Sequence, residues 1–365
     1  MKQISAEQTN PLMNARYSSL VIYYFSGTGN SASAARWMTE RAKQLGLDAS
    51  CHDISKTDPN SIAPPPKESL VGLIYPTHGF NAPPIVLDFI RRFPRAEGTD
   101  LFLVNCRAGM KLFRWVTPGL SGVAQLLPAL MMRLKGYRMV GWRPLDLPSN
   151  WLSLHPALRK NAVDFIFTKC KARLLGFTDR VLGGERDHRG LYDLPLDLLT
   201  VPIAFLYFFM GRFLLAKTFV AGSRCTDCGL CIKQCPVRAI KKVWGRHYWS
   251  FSCESCMKCM NRCPRKAIEV AHTVSFGFWW VASSIISARL MAPLLTEHVY
   301  SVIEPSLVVG QLFSIVRVGA ILMFIGVSYG LLHLLMKVKW VSKVVVRTSL
   351  SHFSFWGRYR APKGF

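Results

Sequence analysis

Two cysteine-rich stretches decide the fold of the middle of this chain: residues 225–236, CTDCGLCIKQCP, and residues 253–264, CESCMKCMNRCP. Both follow the spacing C-x2-C-x2-C-x3-C-P. The two-residue gaps let three thiolates converge on one cuboidal cluster, whereas the fourth cysteine leaves on the following helix and reaches the other cluster. The spacing therefore predicts two 4Fe-4S clusters, one held by Cys225, Cys228, Cys231 and Cys263 and the other by Cys253, Cys256, Cys259 and Cys235.

The same stretches leave one alternative, a pair of zinc knots. Zinc needs four ligands per site and gains nothing from a duplicated pattern that ends in proline. The block resembles the bacterial two-cluster ferredoxins, and residues 238–251 between the two runs have a length that suits a small hairpin.

A glycine- and hydroxyl-rich loop follows the first apolar run of the chain. Residues 20–25 (LVIYYF) predict a buried strand that runs directly into residues 26–31 (SGTGNS) and then a helix. Glycines let the backbone curl around a phosphate, hydroxyl groups donate to it, and the helix N-terminus adds partial positive charge. The loop lacks the P-loop lysine and the G-x-G-x-x-G pattern. It predicts a mononucleotide phosphate site, with an ordinary turn as the alternative, at Ser26, Gly27, Thr28, Gly29, Asn30 and Ser31.

Short apolar runs alternate with helical patterns around this loop, which is typical of a parallel α/β sheet. Strands are predicted at 20–25, 49–54, 70–75, 101–105 and 138–142, and helices at 31–45, 85–92, 120–134 and 155–182. The loop and this order resemble flavodoxins, and FSGTGNS joined to the cysteine runs resembles flavodoxin–ferredoxin fusion proteins. The expected fold class is an α/β flavodoxin-like doubly wound parallel sheet, a small α+β two-cluster ferredoxin domain and C-terminal membrane helices.

The resemblance to flavodoxins implies an FMN cofactor and two further flavin loops at the ends of strands. They comprise Pro76, Thr77, His78, Gly79, Phe80 and Asn81, then Asn105, Cys106, Arg107, Ala108 and Gly109. Phe80 or Trp115 would stack on the flavin ring, although core packing explains either side chain equally. His78 and Arg107 would bring positive charge near the ring and raise its potential, with solvent-facing charge as the alternative. No residue is a clear catalytic proton donor; His78 is the one candidate.

The amino-acid composition indicates a basic protein that is partly bound to a membrane. The chain has 365 residues, 46 Lys and Arg against 21 Asp and Glu, and a net charge of +25. Such charge suits anionic lipid or nucleic acid, but no recognition helix or basic groove supports nucleic acid. Eight of the eleven cysteines lie in the two runs, which indicates a reducing compartment, and the remaining three predict small buried side chains: Cys51, Cys106 and Cys170.

Two long apolar stretches, residues 274–295 and 306–336, predict a transmembrane hairpin, with two monotopic amphipathic helices as the alternative. Arg289 and Arg317 interrupt them and should meet Glu297, Glu304 or a lipid headgroup. The shorter run 198–211 predicts an interfacial or re-entrant helix, or else a buried one. Basic residues after the hairpin predict that both ends face the cytosol, as does a polar start without a signal-peptide core.

These features predict a membrane-attached carrier that passes electrons between FMN and the clusters to a partner enzyme at the membrane. Redox protein donors and acceptors and membrane lipid are the expected partners. The alternative is a terminal FMN-dependent reductase of an isoprenoid, lipid or quinone, so whether the chain is itself an enzyme stays open. The predicted divisions are a lead-in at 1–18, an FMN domain at 19–185, a hydrophobic connector at 186–221, a ferredoxin domain at 222–271, a membrane hairpin at 272–340 and a basic cytosolic tail at 341–365.

Overall fold

The computed structural model of the protein describes residues 16–281, 284 and 307–364. The chain divides into two compact units. The first comprises Met1–Ser149, Arg159–Ala204 and Ala361–Phe365, and the second comprises Asn150–Leu158 and Phe205–Arg360. This division differs from the predicted domain ranges, because nine residues of the predicted FMN domain, 150–158, lie in the second unit.

The first unit is built on a parallel sheet. The strands β2, β1, β3, β4 and β6 lie side by side in this order, and β5 pairs antiparallel with the end of β4. This is the flavodoxin-like doubly wound order, so the predicted fold class is confirmed. The strands are β1 (Ser19–Tyr24), β2 (Asp48–Asp53), β3 (Ser69–Pro76), β4 (Asp100–Leu112), β5 (Trp115–Thr117) and β6 (Arg138–Pro148).

Helices cover both faces of this sheet, which is why the central strand β3 is a nearly continuous buried run. α1 contacts α4, where Trp37 meets Phe167 edge to face with ring centroids 5.7 Å apart, and α2 contacts α3. Apolar side chains at helical spacing direct one face of each helix into the core. The helices are α1 (Asn30–Gln44), α2 (Pro84–Arg92), α3 (Val123–Leu134) and α4 (Lys160–Leu182).

The strands β4 and β6 run further than the sequence predicts. Residues 105–109, predicted as a flavin loop, form the middle of β4 and pair in parallel with residues 144–148 of β6. The reason is that β4 continues into the hairpin with β5, so its backbone stays extended beyond the other strands.

The hydrophobic connector forms a bent helical segment. Residues Arg189–Leu199 and Val201–Ala216 are bent by 74° at Thr200. Asp197 causes the first part to lie on the sheet unit, because its buried carboxylate accepts hydrogen bonds from the N–H groups of Ser121 and Gly122 at 2.7 and 2.9 Å. The helices are α5 (Leu194–Leu199), α6 (Val201–Leu206) and α7 (Arg212–Ala216), with a π turn at Tyr207–Gly211.

The second unit carries the cysteine runs. β7 (Phe219–Ala221) pairs antiparallel with β10 (Ile268–Val270), so the two ends of the cysteine-rich block lie together. Between them, β8 (Ile240–Val243) and β9 (Arg246–Trp249) form the predicted hairpin. Two short helices, α8 (Leu230–Lys233) and α9 (Lys258–Arg262), each lie within one cysteine run.

Within the part of the chain that the structure describes, three helices follow the cysteine-rich block: α10 (His272–Val281), α11 (Leu307–Leu335) and α12 (Lys339–Arg347). Within the described residues, Ser314–Leu335 is long and apolar enough to cross a membrane, with a mean hydropathy of 2.0, and the bent connector would add a second span if counted as one. Arg317 is exposed there. The first arm of the predicted hairpin beyond residue 281, with Arg289, Glu297 and Glu304, lies outside the described residues, apart from residue 284.

Candidate flavin and cluster sites

The predicted phosphate loop joins β1 to α1 and has the backbone shape that a phosphate site requires. Gly29 has φ +113, a left-handed conformation that favours glycine, and its N–H donates to Ser26 Oγ at 3.1 Å. Asn30 Nδ2 donates to the carbonyl oxygen of Pro148 at 2.8 Å, which fastens the start of α1 to the end of β6. The loop therefore presents N–H and hydroxyl groups at the N-terminus of a fifteen-residue helix.

The second predicted flavin loop is a tight turn with a strained residue. His78 and Asn81 exchange backbone hydrogen bonds of 2.8 and 3.1 Å, and both residues between them have positive φ, Gly79 at 54° and Phe80 at 63°. Two consecutive positive φ values define a type I′ turn, in which a phenylalanine is unusual and costs energy. Gly122 supports the turn: a Cβ there would lie 2.5 Å from the Phe80 carbonyl oxygen.

Each of the three predicted flavin segments contains an enclosed polar atom that makes no conventional hydrogen bond among the described residues. They are Ser31 Oγ, His78 Nδ1 and Asn105 Oδ1. The amide Nδ2 of Asn105 donates to Thr77 Oγ1 at 2.8 Å, which links the second and third segments. Because enclosed polar atoms are nearly always paired, this set fits a cofactor that supplies polar partners at the strand ends. The residues present therefore fit FMN.

The electrostatics near these segments differ from the prediction. Burial lowers the pKa of His78 to about 4, so the ring is neutral at pH 7 and brings no positive charge to a flavin. Arg107 is also buried. Its guanidinium lies 2.6 Å from a carboxylate oxygen of Asp146 and 2.6 Å from one of Asp193, and these two carboxylates offset its charge.

The remaining aromatic and cysteine candidates differ in solvent exposure. Trp115, the second predicted stacking residue, is 68% exposed at the tip of the β4–β5 hairpin. Cys106 and Cys170 are buried as predicted, and burial raises the pKa of each thiol to about 12. Cys51 is partly exposed, in contrast to the prediction, because it lies on β2 at the edge of the sheet.

The two cysteine runs fold as matching halves. Left-handed residues recur at equivalent positions in each half: Asp227 with Ser255, Gly229 with Met257 and Arg238 with Lys266. In each half the sulfur of the fourth cysteine also accepts a backbone hydrogen bond, Cys235 from Ala239 at 3.2 Å and Cys263 from Ala267 at 3.3 Å. The repeated spacing in the sequence thus gives a repeated backbone.

The sulfurs gather around two hollows. One is lined by Cys225, Cys228, Cys231 and Cys263, with Cys259 also at its wall, and the other is lined by Cys235, Cys253, Cys256 and Cys259. The fourth cysteine of each run therefore lies with the first three of the other, and four thiols per hollow fit a four-iron cluster. Burial raises the pKa of Cys231 to about 11 and of Cys256 to about 12, so iron must displace protons from these thiols.

A buried lysine beside the second hollow was missed by the sequence reasoning. Lys217 Nζ lies 4.4, 4.2 and 4.6 Å from the ring centroids of Tyr248, Phe251 and Tyr329, and it donates to the Trp249 carbonyl oxygen at 2.5 Å. Burial lowers the pKa of Lys217 to about 8, opposed by the nearby Cys253. At pH 7 the ammonium still carries its charge close to a cluster thiol. A lysine preceding an apolar strand was the sole sequence signal.

Ala361 in the tail contacts the phosphate loop, and no signal in the sequence predicts this contact. The N–H of Ala361 donates to the carbonyl oxygen of Thr28 at 3.0 Å. A Cβ on Gly29 would lie 2.7 Å from the Cβ of Ala361. The last described residues therefore cover the loop, although they were predicted as part of a separate basic tail.

Comparison with known families supports the cysteine-rich block directly. Residues 224–268 match the family model described as "4Fe-4S dicluster domain". No curated protein sequence matches the chain.

Solved structures similar to the chain include two flavodoxins and an oxygen:oxidoreductase. A flavodoxin from Streptococcus pneumonia TIGR4 is 14% identical over 44% of this chain and 97% of its own, with a TM-score of 0.32. Flavodoxin 1 from Bacillus cereus is 18% identical over 44% and 98%, with a TM-score of 0.31. Rubredoxin oxygen:oxidoreductase from Desulfovibrio gigas is 15% identical over 46% and 36%, with a TM-score of 0.29. The strand order, rather than these scores, carries the fold assignment.

Proposed function

Because the chain joins a flavodoxin-like sheet to a 4Fe-4S dicluster domain, we propose that it is a membrane-attached electron-transfer protein holding one FMN and two 4Fe-4S clusters. The observation that carries the proposal is that one chain contains both the two four-cysteine hollows and the three enclosed polar atoms of the flavin segments. A flavin exchanges two electrons or one, and a cluster exchanges one. A chain that holds both can therefore convert between two-electron and one-electron transfer.

In this proposal the chain's own residues bind and orient the cofactors. Ser26, Thr28 and the N–H groups at the start of α1 hold the phosphate, and the strained turn at Phe80 borders the ring. Asn105 and His78 supply polar partners to the ring edge, and the neutral His78 offers one N–H donor and one acceptor. Eight thiolates hold the clusters, with the cysteine sets crossed between the two runs.

The proposed membrane attachment is supported by Ser314–Leu335, whose apolar side chains Ile315, Met323 and Val327 are exposed. Basic residues follow it directly, which favours a cytosolic position for this end and for the cluster domain. They are Lys337, Lys339, Lys343 and Arg347. Electrons would then come from a protein donor, because the sequence carries no dinucleotide fingerprint, and pass to a partner enzyme at the lipid surface.

Cofactor analysis of the anaerobically purified chain tests the cluster assignment. The wild-type protein should contain about eight iron atoms per chain, as two four-iron clusters require, and one FMN. Cys228→Ser should lose cluster iron, whereas Cys51→Ser, which changes a cysteine outside both runs, should keep it. Equal iron in both variants would contradict the assignment.

A second candidate function is supported by one observation in the first unit. The exposed apolar helix α5 is tied through Asp197 to Ser121 and Gly122, and Gly122 packs beneath Phe80 of the flavin turn. A lipid-soluble substrate at α5 would therefore reach the neighbourhood of the flavin, and the chain would be a terminal reductase of an isoprenoid, lipid or quinone.

Reoxidation of the reduced protein separates the two candidates. The chain is purified anaerobically in detergent, photoreduced, and followed at flavin and cluster absorbance. Rapid stoichiometric reoxidation by a protein-free lipid extract would establish a terminal reductase. Reoxidation that requires added membrane proteins would establish a carrier.

A further inference from the structure

A cavity of about 240 Å³ lies in the first unit, between the edge strand β6, helix α4 and the turn Arg189–Asp193. Four arginines line it, Arg107, Arg143, Arg173 and Arg189, together with the carboxylates of Asp146 and Asp193. None of the phosphate-loop residues 26–31 lines the cavity, so it is distinct from the proposed flavin phosphate site. Its wall shares one residue, Arg107, with the predicted flavin segments.

The charges of this cavity are not balanced within the described part of the chain. Asp146 and Asp193 both form ion pairs with Arg107. Arg189 is 4.0 Å from a carboxylate oxygen of Asp187, but Arg180 already binds that carboxylate at 2.5 Å.

Arg143 and Arg173 make no ion pair among the residues described. Burial lowers the pKa of Arg143, and although Asp187 opposes this, Arg180, Arg189 and Arg173 lower it further. An anion in the cavity would relieve this repulsion and accept charge-assisted hydrogen bonds from the guanidinium groups.

Exposed apolar side chains follow the cavity-lining turn Arg189–Asp193 along the chain. Tyr192, whose side chain lines the cavity, is 81% exposed, and Leu196 and Leu199 of the following helix are 55% and 75% exposed. The opposite side of this helix is fixed by the buried carboxylate of Asp197, so the leucines are held outward. A basic cavity next to outward leucines is complementary to the boundary between headgroups and acyl chains of a bilayer.

We propose that the arginine cavity binds the phosphate of an anionic phospholipid headgroup while Leu196 and Leu199 contact the acyl region, which seats the flavodoxin-like unit on the lipid surface. This inference rests on the membrane attachment proposed above. Free phosphate shares the chemistry of the headgroup, but it leaves the exposed leucines without a role. Phosphatidylcholine carries a trimethylammonium group that four arginines would repel.

Native mass spectrometry of the full-length protein in detergent tests the lipid site. Phosphatidylglycerol and phosphatidylcholine are added in turn, and retained lipid is counted for the wild type and for Arg143→Gln/Arg173→Gln. The matched control is Arg91→Gln/Arg92→Gln, which removes two exposed arginines of α2 from the same unit. We expect the wild type and the control to retain phosphatidylglycerol in preference to phosphatidylcholine, and the cavity variant to retain at least about tenfold less. Equal retention by the cavity variant would overturn the proposal.

Inorganic phosphate supplies the second arm. If phosphate raises the unfolding temperature of the wild type and not of the cavity variant, and phosphatidylglycerol is not retained, the site binds a free anion and the lipid assignment is overturned. The proposed electron relay is tested separately by photoreduction of the same samples in detergent. A wild-type protein that photoreduces fully but shows no preference for phosphatidylglycerol refutes this inference alone. A wild-type chain recovered without membranes refutes the attachment itself.

Discussion

Replacing Gly29 by alanine should weaken the flavin site through two separable effects. A left-handed residue other than glycine is strained by about 1 kcal/mol. The new methyl group would also lie 2.7 Å from the Cβ of Ala361, and such overpacking costs typically about 2 kcal/mol. Gly46, at the end of α1, provides the matched control, because its φ is +86 and a Cβ there meets nothing within 4 Å.

The measurement is the temperature at which bound flavin is released and becomes fluorescent, which reports on the first unit alone. With about 3 °C per kcal/mol for a unit of this size, Gly46→Ala should lower this temperature by about 3 °C. Gly29→Ala should lower it by about 9 °C by the same conversion. The double variant Gly29→Ala/Ala361→Gly removes the methyl–methyl clash, so it should return most of the difference between the two single variants.

Two results would refute this reasoning. If Gly29→Ala is no more damaging than Gly46→Ala, the tail does not crowd the loop. If Ala361→Gly restores nothing in the Gly29→Ala background, the crowding comes from another residue and the contact between tail and loop has no energetic weight.

Three further predictions concern charge. The pKa of His78 is about 4 in the folded chain, below its ordinary value near 6.5, so the unfolded chain takes up the proton first as the pH falls. Stability that is present above about pH 6.5 is therefore lost towards pH 4, by up to about 3 kcal/mol. Urea unfolding at about pH 7 and about pH 4.5 should show a smaller loss of stability for His78→Gln than for the wild type, and the wild-type loss for His52→Gln. Lys217→Met removes a positive charge beside Cys253 and should lower the reduction potential of one cluster, whereas Lys217→Arg should keep the wild-type potential. A redox titration followed by electron paramagnetic resonance measures both variants. Equal potentials in all three proteins would show that the charge of Lys217 does not act on the cluster. Arg107→Met leaves the carboxylates of Asp146 and Asp193 without their shared partner and should destabilise the first unit by about 3 kcal/mol in urea unfolding. The double variant Arg107→Met/Asp146→Asn should partly recover this stability. Unchanged stability of Arg107→Met would mean that the two ion pairs do not stabilise the fold.

Local sequence signals predicted the parts of the structure that depend on neighbouring residues. The cysteine spacing predicted both groups of thiols, because three sulfurs in each group come from one turn of chain. The alternation of strands and helices predicted a parallel α/β sheet, and the resemblance to flavodoxins implied its doubly wound order. The glycines of the loop SGTGNS predicted a backbone that curls, and in the structure Gly29 is left-handed.

The features that the sequence did not predict depend on residues far apart in the chain. Ala361 reaches Thr28 across nearly the whole sequence, and Arg107 meets Asp193 through the folding of the connector onto the sheet. Asp197 carried a usable signal, because it interrupts a leucine-rich run and an isolated carboxylate in such a run needs a partner. No comparable signal marked Arg143 as a member of a cavity.

The contact between Ala361 and Thr28 also sets an order for assembly during synthesis. Ala361 follows the phosphate loop by about 330 residues, and ribosomes add roughly 5–20 residues per second. The loop therefore waits on the order of 20–60 seconds for its cover at that rate, and every cysteine of the cluster block leaves the ribosome first. Iron and sulfide can therefore be loaded into the cluster block before Ala361 reaches the phosphate loop.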